Sequence, residues 1–336
     1  MTKIKKVAIL TSGGDAPGMN PAIRAAMRCA ASKGCEVVGV ERGYHGLIYG
    51  SFVTFNVHDV DVMVHRGGTI LKSARSDEFR TPEGRQKAVE QIQKAGIDGV
   101  IVIGGDGSFQ GAQHLHRLGI PVIGIPGTID NDIAGTDYSI GFDTAVNTVV
   151  EAVNKIRDTA SSHERISVVE VMGRRAGYIA LNSGLAAGAE AILIPEMPVD
   201  MTALSRRLQR AYEIGKAHSI VIVAEGVHDV PGLEDDNSGA SIAFRIAERI
   251  TRLTSYETRV TVLGHLQRGG SPTAADRILA SRLGCAAVEL LLQGESGRMV
   301  GIQNDKIVNL TFQEALEGEK QIDRELYTLA DLLADM

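Results

Sequence analysis

Short apolar runs recur along the chain, and polar or glycine-rich residues follow most of them. Their length and their many β-branched residues predict buried strands. We predict strands at residues 7–10, 36–40, 100–103, 120–125, 166–171, 191–194, 219–224 and 260–263. Segments of helical periodicity between them predict helices at residues 20–32, 82–94, 109–118, 142–159 and 274–292. Strands that alternate with helices in this way favour an α/β fold with mainly parallel sheets flanked by helices.

The first strand leads into a glycine-rich loop at residues 11–20. The loop ends in Asn20 and Pro21, which predict a helix start with Asn20 as the capping side chain and proline in the first turn. The loop matches neither the dinucleotide-binding pattern nor the P-loop pattern. Its glycines still favour close approach of the backbone to phosphate, while a plain connection remains the simpler interpretation.

Two further glycine loops carry charged residues. Residues 67–75 begin with two glycines and end at Arg75, which alone is a weak signal. Residues 104–108 follow a β-branched strand and contain Asp106 among glycines. The carboxyl end of a parallel strand is where α/β sheets bind ligands, so Asp106 is a candidate for holding Mg²⁺ directly or through water. A structural turn is the alternative.

Residues 126–132 follow another apolar run and contain Thr128, Asp130 and Asp132. In an extended segment the two carboxylates point to the same side. One carboxylate can then accept a proton while the other orients it or holds a metal. An aspartate-rich turn remains the simpler interpretation of this segment alone.

Composition narrows the class of protein. The 336 residues, 44% of them hydrophobic, are enough for one large or two medium domains. The net charge of -6 argues against a nucleic-acid or anionic-membrane surface, whereas local arginine clusters favour specific anion sites. Cys29, Cys35 and Cys285 form no CxxC motif, and we expect them to be reduced and buried in a cytosolic protein. The chain shows neither a signal-peptide pattern nor a long apolar run, so we expect no export and no membrane span.

Five segments together carry a family resemblance: GGDAPGMN, GGDGS, PGTIDND, MGRRAG and LGHLQRGGSP. In this order and spacing, residues 6–304 resemble the bacterial ATP-dependent 6-phosphofructokinases. The resemblance implies a homotetramer that uses Mg·ATP and fructose 6-phosphate in glycolysis. It also implies two α/β domains with an active-site cleft between them. The ATP domain comprises residues 1–141 and 267–317, and the fructose 6-phosphate domain comprises residues 142–266 and 318–336.

The resemblance also implies roles for individual residues. The implied ATP-site residues are Gly14, Arg75, Ser76, Gly105, Asp106, Gly107 and Ser108, with Asp106 as the magnesium residue. The implied sugar-site residues are Thr128, Ile129, Asp130, Met172, Gly173, Arg174, Glu225, His265, Leu266, Gln267 and Arg268. Asp130 is the implied general base, and Arg75 and Arg174 offset charge on the transferred group. Arg165 and Arg259 match positions that reach the sugar phosphate of a neighbouring subunit.

Departures from the family pattern lie mainly in an effector pocket for ADP or phosphoenolpyruvate. Five residues match that pocket: Arg24, Arg28, Arg157, Glu190 and Lys216. Four do not, because Val57, Val62, Ile214 and Ala217 stand where an arginine, an aspartate and two lysines are common. Extra residues also occur around 228–250. Arg24 and Arg28 are alternatively two solvated residues on one helix face.

Three other functions remain open. Pyrophosphate-using relatives carry Asp in place of Gly107 and Lys in place of Gly127, so the two glycines favour ATP. A lipid or NAD kinase also uses a GGDG loop but has no need for the arginine-rich LGHLQRGG segment. A non-catalytic sugar-phosphate sensor does not require Asp106, Asp130 and Arg174, all of which are present.

Overall fold

The computed structural model describes residues 4–55, 60, 63–162, 165–216, 218–233 and 241–334. The strands are β1 Lys6–Thr11, β2 Glu36–Val40, β3 Phe52–Thr54, β4 Gly99–Gly104, β5 Val122–Pro126, β6 Ile166–Val171, β7 Ala191–Leu193, β8 Ser219–Ala224, β9 Thr258–Val262, β10 Arg298–Gln303 and β11 Lys306–Thr311. The helices are α1 Met19–Ser32, α2 Gly43–Tyr49, α3 Pro82–Lys94, α4 Asp106–Arg117, α5 Phe142–Ser161, α6 Tyr178–Ala187, α7 Met201–Glu213, α8 Ile242–Thr254, α9 Ala274–Leu292, α10 Phe312–Glu317 and α11 Arg324–Ala334.

The chain forms two compact units. The first comprises Met1–Ile129, Ile133–Thr144 and Arg268–Lys320. The second comprises Asp130–Asp132, Ala145–Gln267 and Gln321–Met336. Each unit has its own sheet, and the predicted α/β class with mainly parallel sheets is confirmed.

In the first unit the described strands form a seven-stranded sheet in the order β11-β10-β5-β4-β1-β2-β3. Only the two edge pairs, β2–β3 and β10–β11, are antiparallel within this described sheet. Every residue of β4 is buried, as expected for a strand covered on both faces. One face packs against α2, α3, α4 and α10 around Phe109 and Phe312, and α1 and α9 pack together elsewhere in the same unit.

In the second unit the described strands form a four-stranded parallel sheet in the order β7-β8-β6-β9. The two inner strands, β6 and β8, are buried along their whole length. The edge strand β9 is only half-buried. Helices α6, α7, α8 and α11 lie against this sheet or against one another.

Two details differ from the prediction for local reasons. Helix α1 begins at Met19, and its N-cap is Gly18 with a left-handed φ of 108°. The prediction that Asn20 caps this helix is therefore wrong, and its side chain bonds elsewhere. In the segment after β5, Asn131 has a left-handed φ of 54°, so this segment is not extended. The alternation that put Asp130 and Asp132 on one side therefore does not apply.

Candidate active site

The glycine loops after β1 and β4 lie side by side because these strands are neighbours in the sheet. The chain runs from β1 to β2 on one side and returns to β4 on the other, which makes a topological switch point. Ligands of α/β proteins bind at the carboxyl ends of strands at such a point. The Ser12 backbone N–H donates to the Ile103 carbonyl at 3.0 Å, which fixes the two loops to each other.

A cavity of about 580 Å³ lies on α3 and α4. The predicted glycine loops at residues 11–20 and 67–75 line a different cavity of about 530 Å³, whereas residues 104–108 are not among its walls. Its walls are residues 13–15, 67–69 and 72–75, so the structure brings Gly14 and Arg75 to one cavity. Ser73 Oγ donates to the Gly13 carbonyl and joins the two walls. The cavity mixes backbone N–H groups with Arg75 and Lys72, a combination that suits an anion.

Arg268 packs on the same glycine loop. Its Nη1 donates to the Asp15 carbonyl at 3.1 Å. A Cβ on Gly14 would lie only 2.6 Å from that nitrogen, so glycine is needed for this approach. The predicted sugar-site residue Arg268 therefore lies against the predicted ATP-site residue Gly14.

The loop after β4 enters α4 directly. Asp106 is the first residue of α4 and is half-buried, whereas Ser108 is buried. A Cβ on Gly107 would meet no atom within 4 Å, so packing within the protein does not require glycine there. The Ser108 carbonyl accepts a 2.5 Å hydrogen bond from Tyr44, whose ring stacks on Phe79 at 4.2 Å. Burial raises the pKa of Tyr44 well above its ordinary value.

The end of β5 continues this row of loops. The Gly127 N–H donates to the Gly104 carbonyl at 3.0 Å. Thr128 lies beside Gly105, since a Cβ on Gly105 would be 3.6 Å from Thr128 Cβ. Ser139 Oγ donates to the Thr128 carbonyl at 2.7 Å and holds the segment in place. Ile129, also a predicted sugar-site residue, is fully buried.

In the second unit, Asp130 pairs with Arg174. Arg174 Nε lies 3.3 Å from Asp130 Oδ2, and the Asp130 side chain is 2% exposed while that of Arg174 is 60% exposed. Gly173 and Arg174 both have positive φ, at 141° and 54°. For arginine this conformation is strained, and such strain persists where surrounding contacts enforce it.

Glu225 enforces that turn. It follows β8, and its Oε1 accepts hydrogen bonds from the backbone N–H groups of Gly173 at 3.2 Å and Arg174 at 2.8 Å. Glu225 therefore lies next to Arg174, as the predicted sugar site requires, with one oxygen engaged by the turn itself.

In the segment after β9, the predicted sugar-site residues differ in how deeply they are buried. Gln267 is fully buried, and its amide accepts from the Met172 N–H at 3.2 Å and donates to the Gly264 carbonyl at 3.0 Å. The structure thus gives Gln267 the position of a support for Met172. His265 is exposed, and Leu266 is 69% exposed.

Arg165 and Arg259 converge on Glu257, a residue that the sequence reasoning missed. Arg165 Nε lies 2.9 Å from Glu257 Oε2, and Arg259 Nη2 contacts the other oxygen. The hydrogen bond from Arg165, followed by its charge and that of Arg259, holds the pKa of Glu257 below its ordinary value. The available signal was the spacing of Glu257 and Arg259, since residues two apart share one face of a strand.

The predicted effector residues are distributed over both units. Arg24 and Arg28 lie on α1, and Arg157 lies on α5. Arg157 Nη2 donates to the carbonyls of Ala187 and Gly188 at the end of α6. Lys216 pairs with the buried Glu190 at 2.9 Å. Ile214 is 64% exposed, while Val57, Val62 and Ala217 lie outside the described residues.

Three expectations concern the whole chain. Cys29 and Cys35 are free and buried as predicted, whereas Cys285 is only half-buried because it lies on the partly exposed side of α9. Among the described residues, no group of three or more histidine, cysteine, aspartate or glutamate side chains is arranged to hold a metal ion. No helix in the described part of the chain is long and apolar enough to cross a membrane.

Adjacent glycine loops at the switch point of a mainly parallel sheet, with arginines beside them, define a phosphate-handling α/β protein. The sequence model of the phosphofructokinase family matches residues 6–291, and the chain belongs to this family. This match confirms the predicted family and enzyme class.

The chain is similar to named members of the family. It is 56% identical over 332 residues to an ATP-dependent 6-phosphofructokinase from Halothermothrix orenii, which covers 98% of this chain and 100% of the relative. It is 57% identical over 331 residues to one from Brevibacillus brevis, again covering 98% and 100%. The structure of phosphofructokinase from Saccharomyces cerevisiae aligns with a TM-score of 0.85 at 36% identity, over 98% of this chain. This chain spans about half, 47%, of that yeast chain.

Proposed function

We propose that this phosphofructokinase-family enzyme transfers the terminal phosphoryl group of Mg·ATP to the 1-hydroxyl of D-fructose 6-phosphate. The products are fructose 1,6-bisphosphate and ADP, as in glycolysis. The observation that carries the proposal is that the carboxyl ends of the neighbouring strands β1, β4 and β5 lie next to one another. The loop after β1 bonds to the end of β4 through Ser12 and Ile103, and the end of β4 bonds to the residue after β5 through Gly104 and Gly127. Three residues after Gly127 the chain reaches Asp130, which pairs with Arg174.

The nucleotide side of the proposal uses the first unit. Gly14 and Arg75 line the 530 Å³ cavity, and Gly105, Asp106, Gly107 and Ser108 form the start of α4. The N-terminus of a helix favours phosphate because its first N–H groups lack partners in the helix. Ser76 lies next to Arg75 and accepts from the Phe79 N–H at 3.3 Å.

Asp106 is the proposed magnesium residue. Mg²⁺ keeps several waters and uses one or two carboxylates together with substrate phosphates. A single half-buried carboxylate at the start of α4 fits that donor set, even though the described residues hold no larger ligand cluster. When bound, the ion would neutralise part of the charge on the phosphates.

The sugar side uses Asp130 as the general base on the 1-hydroxyl. Phosphoryl transfer requires positioning and charge stabilisation more than covalent help. Arg174, paired with Asp130, is oriented by the turn that Glu225 holds, so it can offset charge on the transferred group. Arg75 does the same from the nucleotide side.

The remaining sugar-site residues either bind fructose 6-phosphate or support residues that do in this proposal. They are Thr128, Ile129, Met172, Gly173, Glu225, His265, Leu266, Gln267 and Arg268. Ile129 and Gln267 are fully buried, so we assign them supporting places rather than direct contacts. Arginine forks suit a phosphate dianion better than lysine does, which favours Arg268 as a phosphate ligand.

We also propose that the enzyme is a homotetramer in which Arg165 and Arg259 reach the sugar phosphate of a neighbouring subunit. Both arginines are at least partly exposed on the second unit and stay close together through Glu257. A pair of forked cations on one surface suits a phosphate group. We propose that control by ADP or phosphoenolpyruvate through the matching residues of the effector pocket is weaker than the family resemblance implies.

ATP rather than pyrophosphate is the proposed donor. A side chain at Gly107 would project into open space, where it would crowd and repel the α-phosphate of a nucleotide. Gly127 is a weaker indicator, because a Cβ there would lie 3.0 Å from Ile103 Cγ2 and packing alone favours glycine.

The test is a coupled assay of fructose 1,6-bisphosphate formation with ATP or pyrophosphate as donor. We expect turnover with Mg·ATP and none with pyrophosphate. Gly107→Asp is expected to weaken the use of ATP without disturbing the fold, since the site is open. Comparable rates with both donors in the wild type would overturn the choice of donor, and binding of fructose 6-phosphate without turnover would support the sensor.

A further inference from the structure

The side chain of Asn20 does not cap the helix in which it lies, and it bonds a separate loop instead. It lies in the first turn of α1 and is 1% exposed. Its Nδ2 donates to the carbonyls of Arg66 at 3.0 Å and Gly67 at 3.2 Å. Its Oδ1 accepts from the Ile70 N–H at 2.8 Å. Two carbonyls on one side and an N–H on the other fix the orientation of the amide.

These three bonds join one wall of the 530 Å³ cavity to α1, the helix that follows the other wall. One wall is the glycine loop that leads into α1, and the other is residues 67–75, which end at Arg75. Asn20 does not itself line the cavity. It therefore acts on the cavity only through the loop that it holds.

The rest of that loop is fastened from other directions. The hydroxyls of Thr11 and Thr69 hydrogen-bond at 2.8 Å, and Thr11 Oγ1 also lies 3.0 Å from the Lys72 carbonyl. Ser271 Oγ donates to the His65 carbonyl at 2.7 Å. Asn20 is distinctive because one buried side chain bonds three backbone groups within five residues of the loop.

We propose that Asn20 is a positioning residue for the nucleotide phosphates. It holds residues 66–70 against α1, so that the backbone N–H groups and Arg75 converge on the phosphates. A positioning effect of this kind strengthens nucleotide binding because the groups need no reordering when the ligand arrives. This inference rests on the proposed function, since it takes the cavity to be the donor site.

Asn20→Asp tests the inference with almost no change in side-chain shape. The introduced carboxylate can still accept from Ile70, but it has no donor for Arg66 and Gly67. A buried polar contact that turns repulsive shifts the loop away from α1. We expect the KM for ATP to rise about tenfold or more, while the KM for fructose 6-phosphate changes less than about twofold.

The pH dependence of that effect separates positioning from a general loss of structure. Burial beside two carbonyls raises the pKa of the introduced carboxyl, and its protonated form regains one O–H donor. We therefore expect the variant-to-wild-type ratio of the KM for ATP to fall as the pH is lowered from about 8 to about 6. We expect this recovery in the KM for ATP alone, whereas a loosened fold would also change the KM for fructose 6-phosphate as the pH falls.

Two further variants complete the test. Asn182→Asp makes the same chemical change on α6, where Asn182 donates to the Tyr178 carbonyl at 2.8 Å, and we expect no change in the KM for ATP. Thr69→Val keeps the shape of the side chain but removes the bond to Thr11. It is expected to raise the KM for ATP about two- to fivefold. If Asn20→Asp does not fold, Thr69→Val still tests the premise of the inference, that the placement of this loop sets the KM for ATP.

The outcomes distinguish the inference from the proposed function. A wild type without ATP-dependent phosphofructokinase activity would overturn the proposed function. If the wild type is active and the KM for ATP is unchanged in both Asn20→Asp and Thr69→Val, only the inference is overturned. Equal increases in both KM values, or a fall in kcat alone, would also overturn it, because a structural role predicts that pattern.

Discussion

Asp130 is the single residue whose replacement is expected to affect turnover most. Its side chain is 2% exposed and lies 3.3 Å from Arg174. We expect Asp130→Ser to lower kcat by roughly 10² or more with little change in the KM for fructose 6-phosphate, because a general base acts in the transition state. Steady-state kinetics at saturating Mg·ATP measure both constants.

The control for this prediction is Asp77→Ser. The Asp77 side chain is 92% exposed and pairs with Arg80 at a long 3.7 Å, so we expect near-normal kinetics. A loss confined to KM in Asp130→Ser would show that Asp130 binds the sugar without acting as its base.

Arg259 allows a second prediction at the same scale. We expect Arg259→Ala to raise the KM for fructose 6-phosphate, since losing one partner of a charge-assisted phosphate contact costs about 2–5 kcal/mol. Arg252→Ala is the matched control, because Arg252 is an exposed arginine on α8 paired with Glu248. A fully active monomeric form would contradict the proposal that Arg259 acts across a subunit boundary.

Replacing Glu257 is expected to affect the KM for fructose 6-phosphate in the opposite direction to replacing Arg259. It holds Arg165 at 2.9 Å and also contacts Arg259, so it competes with a phosphate for both cations. We expect Glu257→Gln to leave the KM for fructose 6-phosphate unchanged or lower, whereas Arg259→Ala raises it. A large increase in KM for Glu257→Gln would instead mean that the carboxylate is needed to orient the arginines.

At the scale of elements, Asp276 connects the beginnings of two helices. It lies in the first turn of α9, and its carboxylate accepts from the Gly141 and Thr144 N–H groups and from the Thr144 hydroxyl at the start of α5. Burial raises the pKa of Asp276, while these hydrogen bonds act in the opposite direction. One buried carboxylate therefore fixes the start of α5 to the first turn of α9.

The raised pKa of Asp276 gives a prediction for stability against pH. A raised folded-state pKa contributes stability that is fully present below the unfolded value and is lost as the pH rises through the folded value. We therefore expect the difference in unfolding midpoint between the wild type and Asp276→Asn to widen as the pH falls towards about 4. Circular dichroism against temperature measures it. A difference that narrows would mean that the hydrogen bonds outweigh burial.

The elements also show which features the sequence predicts. Buried strands such as β4 and the glycine loops after them follow from apolar runs and turn residues. The hydrogen bonds of Asn20 could not be predicted in this way. An asparagine before proline at a helix start predicts a cap, and residues 66–70 come close to Asn20 only in the folded protein. Helix α8 was missed although its apolar residues recur at helical spacing, with Ala243, Ile246, Ala247 and Ile250 buried.

Individual site residues were predictable to different degrees. The resemblance supplied Asp130 and Arg174, and the structure places them together. Glu257 was not predicted because its interaction with Arg165 depends on the pairing of β6 with β9, which joins residues far apart in the chain. The left-handed conformation of Asn131 is set by a turn that no periodicity encodes.

At the scale of the whole molecule, control by a phosphate-bearing effector depends on how many cationic side chains can leave their contacts within the protein to bind it. Arg157 donates to carbonyls at the end of α6, and Lys216 pairs with buried Glu190. Glu190 also accepts from the Ile220 N–H, which fixes it in place. An effector that recruits Arg157 or Lys216 must replace these contacts, and the exposed Ile214 offers no charge to help it.

We therefore expect a weaker response to phosphoenolpyruvate and ADP than the family resemblance implies. The physical reason is that a phosphate leaves water only where several cations offset the loss of hydration. The measurement is the saturation curve for fructose 6-phosphate with and without an effector at about 1 mM. At this concentration, an effector with a binding free energy of about −4 kcal/mol occupies half of its sites. Ile214→Lys adds a cation at an exposed position and is expected to strengthen the response. A strong shift in half-saturation in the wild type that Arg24→Ala abolishes would contradict the prediction, because it would show a working pocket despite the missing charges.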